Sequence, residues 1–129
     1  MTQATDRIRA LYGAFLRGDI AAVVAGLHAE VSWTEAAGFP YGGTYVGPQA
    51  VLERVFTPLG ADWKGFSAVP HQFITEGDTV VVLGEYTGAH RGTGKNFRAA
   101  FAHVWKLEND KVVRFHQHTD TAIVRDAMS

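Results

Sequence analysis

FRAAFAHVWKLENDKVVRFHQHT, running from Phe97 to Thr119, decides the fold. Two runs rich in Val, Phe and Trp, Phe97 to Leu107 and Val112 to Thr119, flank Glu108-Asn109-Asp110, a turn signal, so the stretch reads as two long antiparallel strands. Side chains alternate across a sheet. Phe97, Ala99, Phe101, His103 and Trp105 therefore share one face, large and aromatic with one polar member, as suits the lining of a pocket. Arg98, Ala100, Ala102 and Val104 share the other. That face is small and apolar near its middle, a place for a second copy of the chain to pack, so a homodimer through the outer sheet face is expected. In the last strand the same alternation puts Phe115, Gln117 and Thr119 on the cavity side, with Val113 in their set. Val112, Arg114, His116 and His118 then point outward. His116 and His118 share a face, but no Asp, Glu or Cys stands beside them as a third ligand, and no metal site is expected.

Working outward, Phe66 to Thr75 and Thr79 to Ala89 carry the same strand composition, separated by Glu76-Gly77-Asp78 and followed by the turn Arg91-Gly92-Thr93-Gly94. The first half reads as helical. Ile8, Leu11, Tyr12, Phe15 and Leu16 fall on one face. Gly18 ends that helix and Asp19 caps a second one, marked by Ile20, Val23, Val24 and Leu27. Gly47-Pro48 starts a third, with Val51, Leu52, Val55 and Phe56 as its apolar side, and Thr57-Pro58 is expected to end it. Asp120 caps a short C-terminal helix through Arg125. Helices first and strands later predict one α+β domain over residues 1–129, with helices packed on one face of a strongly curved antiparallel sheet that leaves a cavity at one end.

The stretch most suggestive of chemistry is LHAEVSWTEAAG, Leu27 to Gly38. It places Glu35 late in a short strand, before a loop rich in glycine (Gly38, Gly42, Gly43, Gly47). Trp33, Phe39 and Tyr41 stand nearby. An apolar pocket raises a carboxyl pKa and makes a general base useful near neutral pH; a solvated strand end is the plainer reading. His103 is either a satisfied core histidine or a donor aimed at a ligand oxygen. Asp120 reads as a helix cap or as a catalytic acid. Tyr12 lies on the first helix within reach of the pocket, and Tyr41 and Tyr45 flank a loop able to close over a ligand.

Composition narrows the rest. The chain has 129 residues, a net charge of −1 and no cysteine. Without a basic face, nucleic acid is not an expected partner. No apolar run approaches the roughly 20 residues that span a bilayer, and MTQATDRIRA lacks the apolar core of a secretory leader, so a cytoplasmic location is expected. Thiol nucleophiles, disulfides and cysteine-ligated zinc are excluded. No glycine pattern fits a phosphate loop, and no serine sits in a nucleophile elbow.

The order of elements, together with Gly18-Asp19-Ile20, LHAEVSWTEAAG, Gly47-Pro48-Gln49-Ala50 and FAHVWKLENDKVVRFHQHTD, resembles the nuclear transport factor 2-like superfamily, in its SnoaL-like and ketosteroid isomerase-like branch. The resemblance implies a cone-shaped α+β barrel with a deep apolar pocket, usually dimeric. It puts Glu35 in the place of the general base of ketosteroid isomerases, and His103 in the place of the protonated acid of their oxyanion hole. Their helix-1 tyrosine falls on Leu11, one step from Tyr12. The Arg-x-Asp pair of the superfamily's epoxide hydrolases is replaced by Phe101 and His103, and their further carboxylate by Gln117, which argues against that activity. In SnoaL-type polyketide cyclases the pocket acid/base corresponds to Asp120 or Glu35. The expected function is a cofactor-independent acid/base enzyme, isomerase- or cyclase-like. Glu35, His103 and Asp120 are its catalytic candidates. Tyr12, Trp33, Phe39, Tyr41, Phe101, Trp105, Phe115 and Gln117 are expected to contact a hydrophobic small molecule. The alternative is a non-catalytic binding or dimeric assembly module.

Overall fold

A computed structural model describes residues 3–129; Met1 and Thr2, the start of the stretch read above as lacking a leader, lie outside the described residues. Helix α1 (Gln3–Leu16) buries Ile8 and Tyr12, leaves Leu11 and Phe15 half-buried, and exposes Leu16. Gly18 takes φ +76°, which reverses the chain after α1. The Asp19 carboxylate then accepts the Ala22 N–H at 3.1 Å and caps α2 (Ile20–Ala25). Strand β1 (Leu27–Glu35) follows, then β2 (Gly43–Val46), so part of the expected glycine-rich loop is a strand instead. Its register with β1, Trp33 opposite Tyr45 and Glu35 opposite Gly43, makes it the sheet's first edge.

The third helix does not stop at Thr57-Pro58. Helix α3 (Pro48–Val51) runs through a π-helical turn, Leu52–Phe56, into α4 (Thr57–Asp62). The Thr57 N–H reaches back five residues to the Leu52 carbonyl. This widened turn lets the helix continue with Pro58 in the first turn of α4, where a missing N–H is tolerated.

Four long strands complete the sheet: β3 (Trp63–Glu76), β4 (Thr79–His90), β5 (Asn96–Glu108) and β6 (Lys111–Thr119). The order is β2-β1-β6-β5-β4-β3, antiparallel throughout except that β1 and β6 run parallel. The fold is thus α+β, with the N-terminal helices on a curved six-stranded sheet. The sheet is open, not closed into a barrel, and mixed where pure antiparallel pairing was expected. Inner-face residues of β5, from Phe97 through Leu107, are buried at every second position. In β6 a bulge shifts the register, since Lys106 pairs with Arg114 but Leu107 with Val112. Val112 therefore points inward and is 1% exposed, while Val113 is the displaced residue, reversing the alternation expected there. Thr119 donates its hydroxyl to the Ala100 carbonyl at 2.8 Å and is not part of the cavity wall. β3 is the opposite edge and is interrupted by two irregularities, between Lys64 and Ser67 and between Pro70 and Gln72. Helix α5 (Thr121–Ala127) closes the chain, capped by Asp120 through the Ile123 N–H at 3.2 Å.

Gly84 on β4 is where the sheet is tightest. A Cβ there would collide with the Val69 carbonyl oxygen of β3 and the Phe101 ring of β5. Gly84→Ala should lower stability by about 2 kcal/mol, the usual cost of overpacking. Urea unfolding measures it, and an unchanged midpoint would show that the β3 edge yields freely.

Candidate active site

Between the helices and the inner sheet face lies a cavity of about 60 Å³. Trp33 of β1, Trp105 of β5 and Phe115 of β6 form its floor, with Trp33 stacked on Phe115 at 3.9 Å between centroids. Leu11 and Phe15 of α1 and Phe56 of the π-helical turn, all half-buried, stand at its mouth. Five polar side chains reach the cavity: Tyr12, Glu35, Tyr86, His103 and Gln117. Each is at most 4% exposed.

Four of them form one hydrogen-bond chain. The Trp105 indole N–H donates to the Tyr12 hydroxyl at 3.0 Å, and that hydroxyl lies 2.6 Å from His103 Nδ1. His103 Nε2 lies 2.5 Å from the Tyr86 hydroxyl, which accepts from Gln117 Nε2 at 2.8 Å. Gln117 Oε1 accepts the Ala36 N–H at 3.0 Å, next to Glu35 in sequence. Burial drives the His103 pKa well below its ordinary value, so the ring is neutral. Burial likewise raises both tyrosines, Tyr12 and Tyr86, the nearby Glu35 carboxylate adding to the shift at Tyr86; both stay protonated.

Glu35 stands apart from that chain. Among the described residues the only hydrogen bond to its carboxyl comes from the Trp33 indole N–H at 3.1 Å. Burial pushes its pKa up to about 8, against the smaller downward pull of that bond. One cavity thus holds a carboxyl that titrates near neutrality and a satisfied imidazole.

Of the residues singled out in the sequence, Tyr12, Trp33, Glu35, His103, Trp105, Phe115 and Gln117 meet at this cavity. Tyr12 does so although the resemblance pointed to Leu11, because both residues reach the wall. Phe39, Tyr41 and Phe101 are off the wall. Phe101 lies behind His103, ring on ring at 3.9 Å. Phe39 packs against Tyr41 and Tyr86. Tyr41 donates to Asp62 at 2.7 Å and accepts from the Trp63 indole, fixing the loop rather than closing over a ligand. Tyr45 donates to the Tyr41 carbonyl at 2.8 Å. Asp120 caps α5 away from the cavity. His116 and His118 stack on each other on the outer face, and among the described residues no group of three or more His, Asp or Glu side chains is placed to hold a metal ion. Tyr86 was missed. Its signal was the alternation Val80, Val82, Gly84, Tyr86 along β4, legible only once that strand's inner face is assigned.

The profile of the SnoaL-like domain matches residues 8–115, and the chain belongs to that family, within the nuclear transport factor 2-like superfamily. A solved nuclear transport factor 2-like protein from Burkholderia thailandensis is 39% identical over 100% of this chain and 99% of its own, with a TM-score of 0.95. One of unknown function from Burkholderia pseudomallei is 30% identical, covering 100% and 99%, with a TM-score of 0.92. TerC, crystallised with polyporic acid, is 26% identical, covering 98% of each chain, with a TM-score of 0.89. No curated protein matches the chain in sequence. Among the described residues no helix is long and apolar enough to cross a membrane.

The raised carboxyl has a consequence for stability. A carboxyl whose pKa rises on folding stabilises the fold fully below its unfolded pKa of about 4.5 and loses that contribution as pH climbs to about 8. Relative to wild type, Glu35→Gln should therefore gain a few kcal/mol between those limits and level off above them. Urea denaturation at pH 5 and pH 9 tests this, and a constant difference would mean that Glu35 is already ionised.

Proposed function

We propose that the cavity is an acid/base site acting on an apolar small molecule that carries a carbonyl. Glu35 takes a proton from the carbon beside the carbonyl, and the C–H electron pair moves onto the carbonyl oxygen. The hydrogen-bonding group built on Tyr12 and His103 holds the resulting enolate. Return of the proton to another carbon completes an isomerisation; attack of the enolate carbon on a second carbonyl completes a cyclisation. Proton and electrons stay within substrate and side chains, so the scheme needs no cofactor. The observation that carries this reading is the convergence of Glu35 and His103 on one apolar cavity. A positioned base typically contributes about 10²–10⁴-fold and an oxyanion donor about 10²–10³-fold.

Trp33 holds the Glu35 carboxyl, and Trp105 and Phe115 supply apolar contact to the substrate. Gln117 acts through Tyr86 as a positioning residue. Asp120 has no part in the scheme. The cavity is smaller than the ~150 Å³ void known to take benzene, so entry displaces the half-buried mouth residues. Crystallisation of the relative TerC with polyporic acid supports a small-molecule occupant.

Deuterium uptake from heavy water into a panel of cyclic ketones tests the reading. Wild type should exchange, with a rate that rises with pH to about 8 and then levels as Glu35 ionises. Glu35→Gln should fold and lose at least about 10²-fold. Full exchange in the variant would remove Glu35 from the mechanism and favour a binding module.

We also infer that two copies pack through the outer sheet face, around Ala100, Ala102 and Val104 of β5. Leu83 opposes Ala102 across the strands and is 37% exposed, which adds to the apolar area there. Sedimentation should give a dimer for wild type and a monomer for Ala102→Glu; a wild-type monomer overturns this.

A further inference from the structure

The hydrogen-bond chain on the cavity floor has a proton count that limits what it can offer. Two of its donors have no choice. The Trp105 indole N–H can only donate, and it donates to the Tyr12 oxygen. The Ala36 N–H can only donate, so Gln117 must turn Oε1 toward it and its amide N–H₂ toward the Tyr86 oxygen. Each tyrosine oxygen thus already accepts one proton from outside the ring pair.

His103 sits between them, with Tyr12 on Nδ1 and Tyr86 on Nε2. The ring is 4% exposed, stacked on Phe101, and edge-on to Phe115, with hydroxyls and no carboxylate bonded to it. A neutral imidazole carries one N–H and one lone pair. One tyrosine must therefore donate to the ring while the other accepts from it. The accepting tyrosine receives two hydrogen bonds, and its own hydroxyl proton finds no acceptor within the chain. Accepting two bonds polarises that hydroxyl and strengthens it as a donor.

We propose that this hydrogen-bond chain offers one tyrosine proton to one acceptor oxygen of the cavity's ligand, and that the tautomer of His103 selects whether Tyr12 or Tyr86 offers it. With the ring proton on Nδ1, Tyr86 donates to the ring and Tyr12 faces the ligand. With it on Nε2, the roles exchange. Tyr86 thereby joins Tyr12 as a substrate-contacting residue, and Gln117 positions it. The ligand class follows: a single carbonyl or enolate oxygen on an otherwise apolar body. A carboxylate head would set two acceptor oxygens against the chain's one free tyrosine proton and would bring a second carboxyl group beside Glu35. This inference rests on the carbonyl reading of the site but not on Glu35 turning the ligand over.

The probes are benzaldehyde, which has no enolisable hydrogen, and styrene, the same shape with a vinyl group in place of the carbonyl. NMR titration should show wild type preferring benzaldehyde about tenfold, the scale of one hydrogen bond. Tyr12→Phe and Tyr86→Phe should each keep that preference, because the remaining tyrosine takes over. The double variant should still bind styrene and show no preference. Nitrogen-15 spectra of His103 in the benzaldehyde complexes give the second readout. The ring proton should lie on Nδ1 in Tyr86→Phe and on Nε2 in Tyr12→Phe, and these assignments decide the matter if the double variant does not fold. The same nitrogen protonated in both variants overturns the proposal, as does loss of the preference in one single variant alone or its absence in wild type. Loss of ketone deuterium exchange beside an intact benzaldehyde preference would instead fell only the enolisation reading.

Discussion

Burying the imidazole of His103 is the constraint on which the rest of the molecule depends. A buried polar group left without a partner costs about 1–3 kcal/mol, and this ring has two such atoms. Satisfying both requires a hydroxyl from α1 and another from β4, at 2.6 and 2.5 Å. Those hydroxyls in turn are held by Trp105 of β5 and Gln117 of β6, and Gln117 by the backbone just past β1. One continuous set of hydrogen bonds therefore ties α1 to three strands and to the turn after β1. The first helix cannot slide over the sheet without breaking it, so the packing that closes the cavity and the polar chemistry inside it have a common origin.

Glu35 follows the opposite principle. Its carboxyl has a single indole donor and is otherwise walled by rings, so it keeps its proton to about pH 8. The backbone that carries it is nevertheless firmly placed. Arg125 of α5 donates to the Gly38 carbonyl at 2.5 Å, and Tyr41 reaches Asp62 at the end of α4. These contacts hold the turn after β1 from two sides and leave the carboxyl as the less constrained group.

Much of this is legible in the sequence. Alternation along Phe97–Trp105 put His103 among aromatics on the inner face, and the strand-end position of Glu35 put it beside Trp33. The capping roles of Asp19 and Asp120 were also legible, because a short acceptor side chain before an apolar run has few other uses. Other features depended on non-local contacts. The β6 bulge inverts Val112 and Val113 through pairing with Leu107, which no local pattern encodes. The four residues of β2 are a strand only because β1 lies alongside. Thr57-Pro58 carries a strong stop signal, and the signal fails because the preceding turn widens to accept it. Phe39 and Tyr41 look like pocket residues by proximity to Glu35, yet the loop turns them toward Trp63 and Tyr86.

An open sheet leaves two rows of backbone groups unpaired, and β3, at 14 residues, is the longer. A long, regular edge is a template for a foreign strand and hence for aggregation. This one is broken twice along its length, and Pro70 at the second break has no N–H to offer. Gly65 in the first break takes φ +63°, outside the extended conformation. The irregularities that look like defects in strand pairing therefore act as protection: they let a fold that keeps its sheet open around a cavity do so without inviting runaway association along its rim.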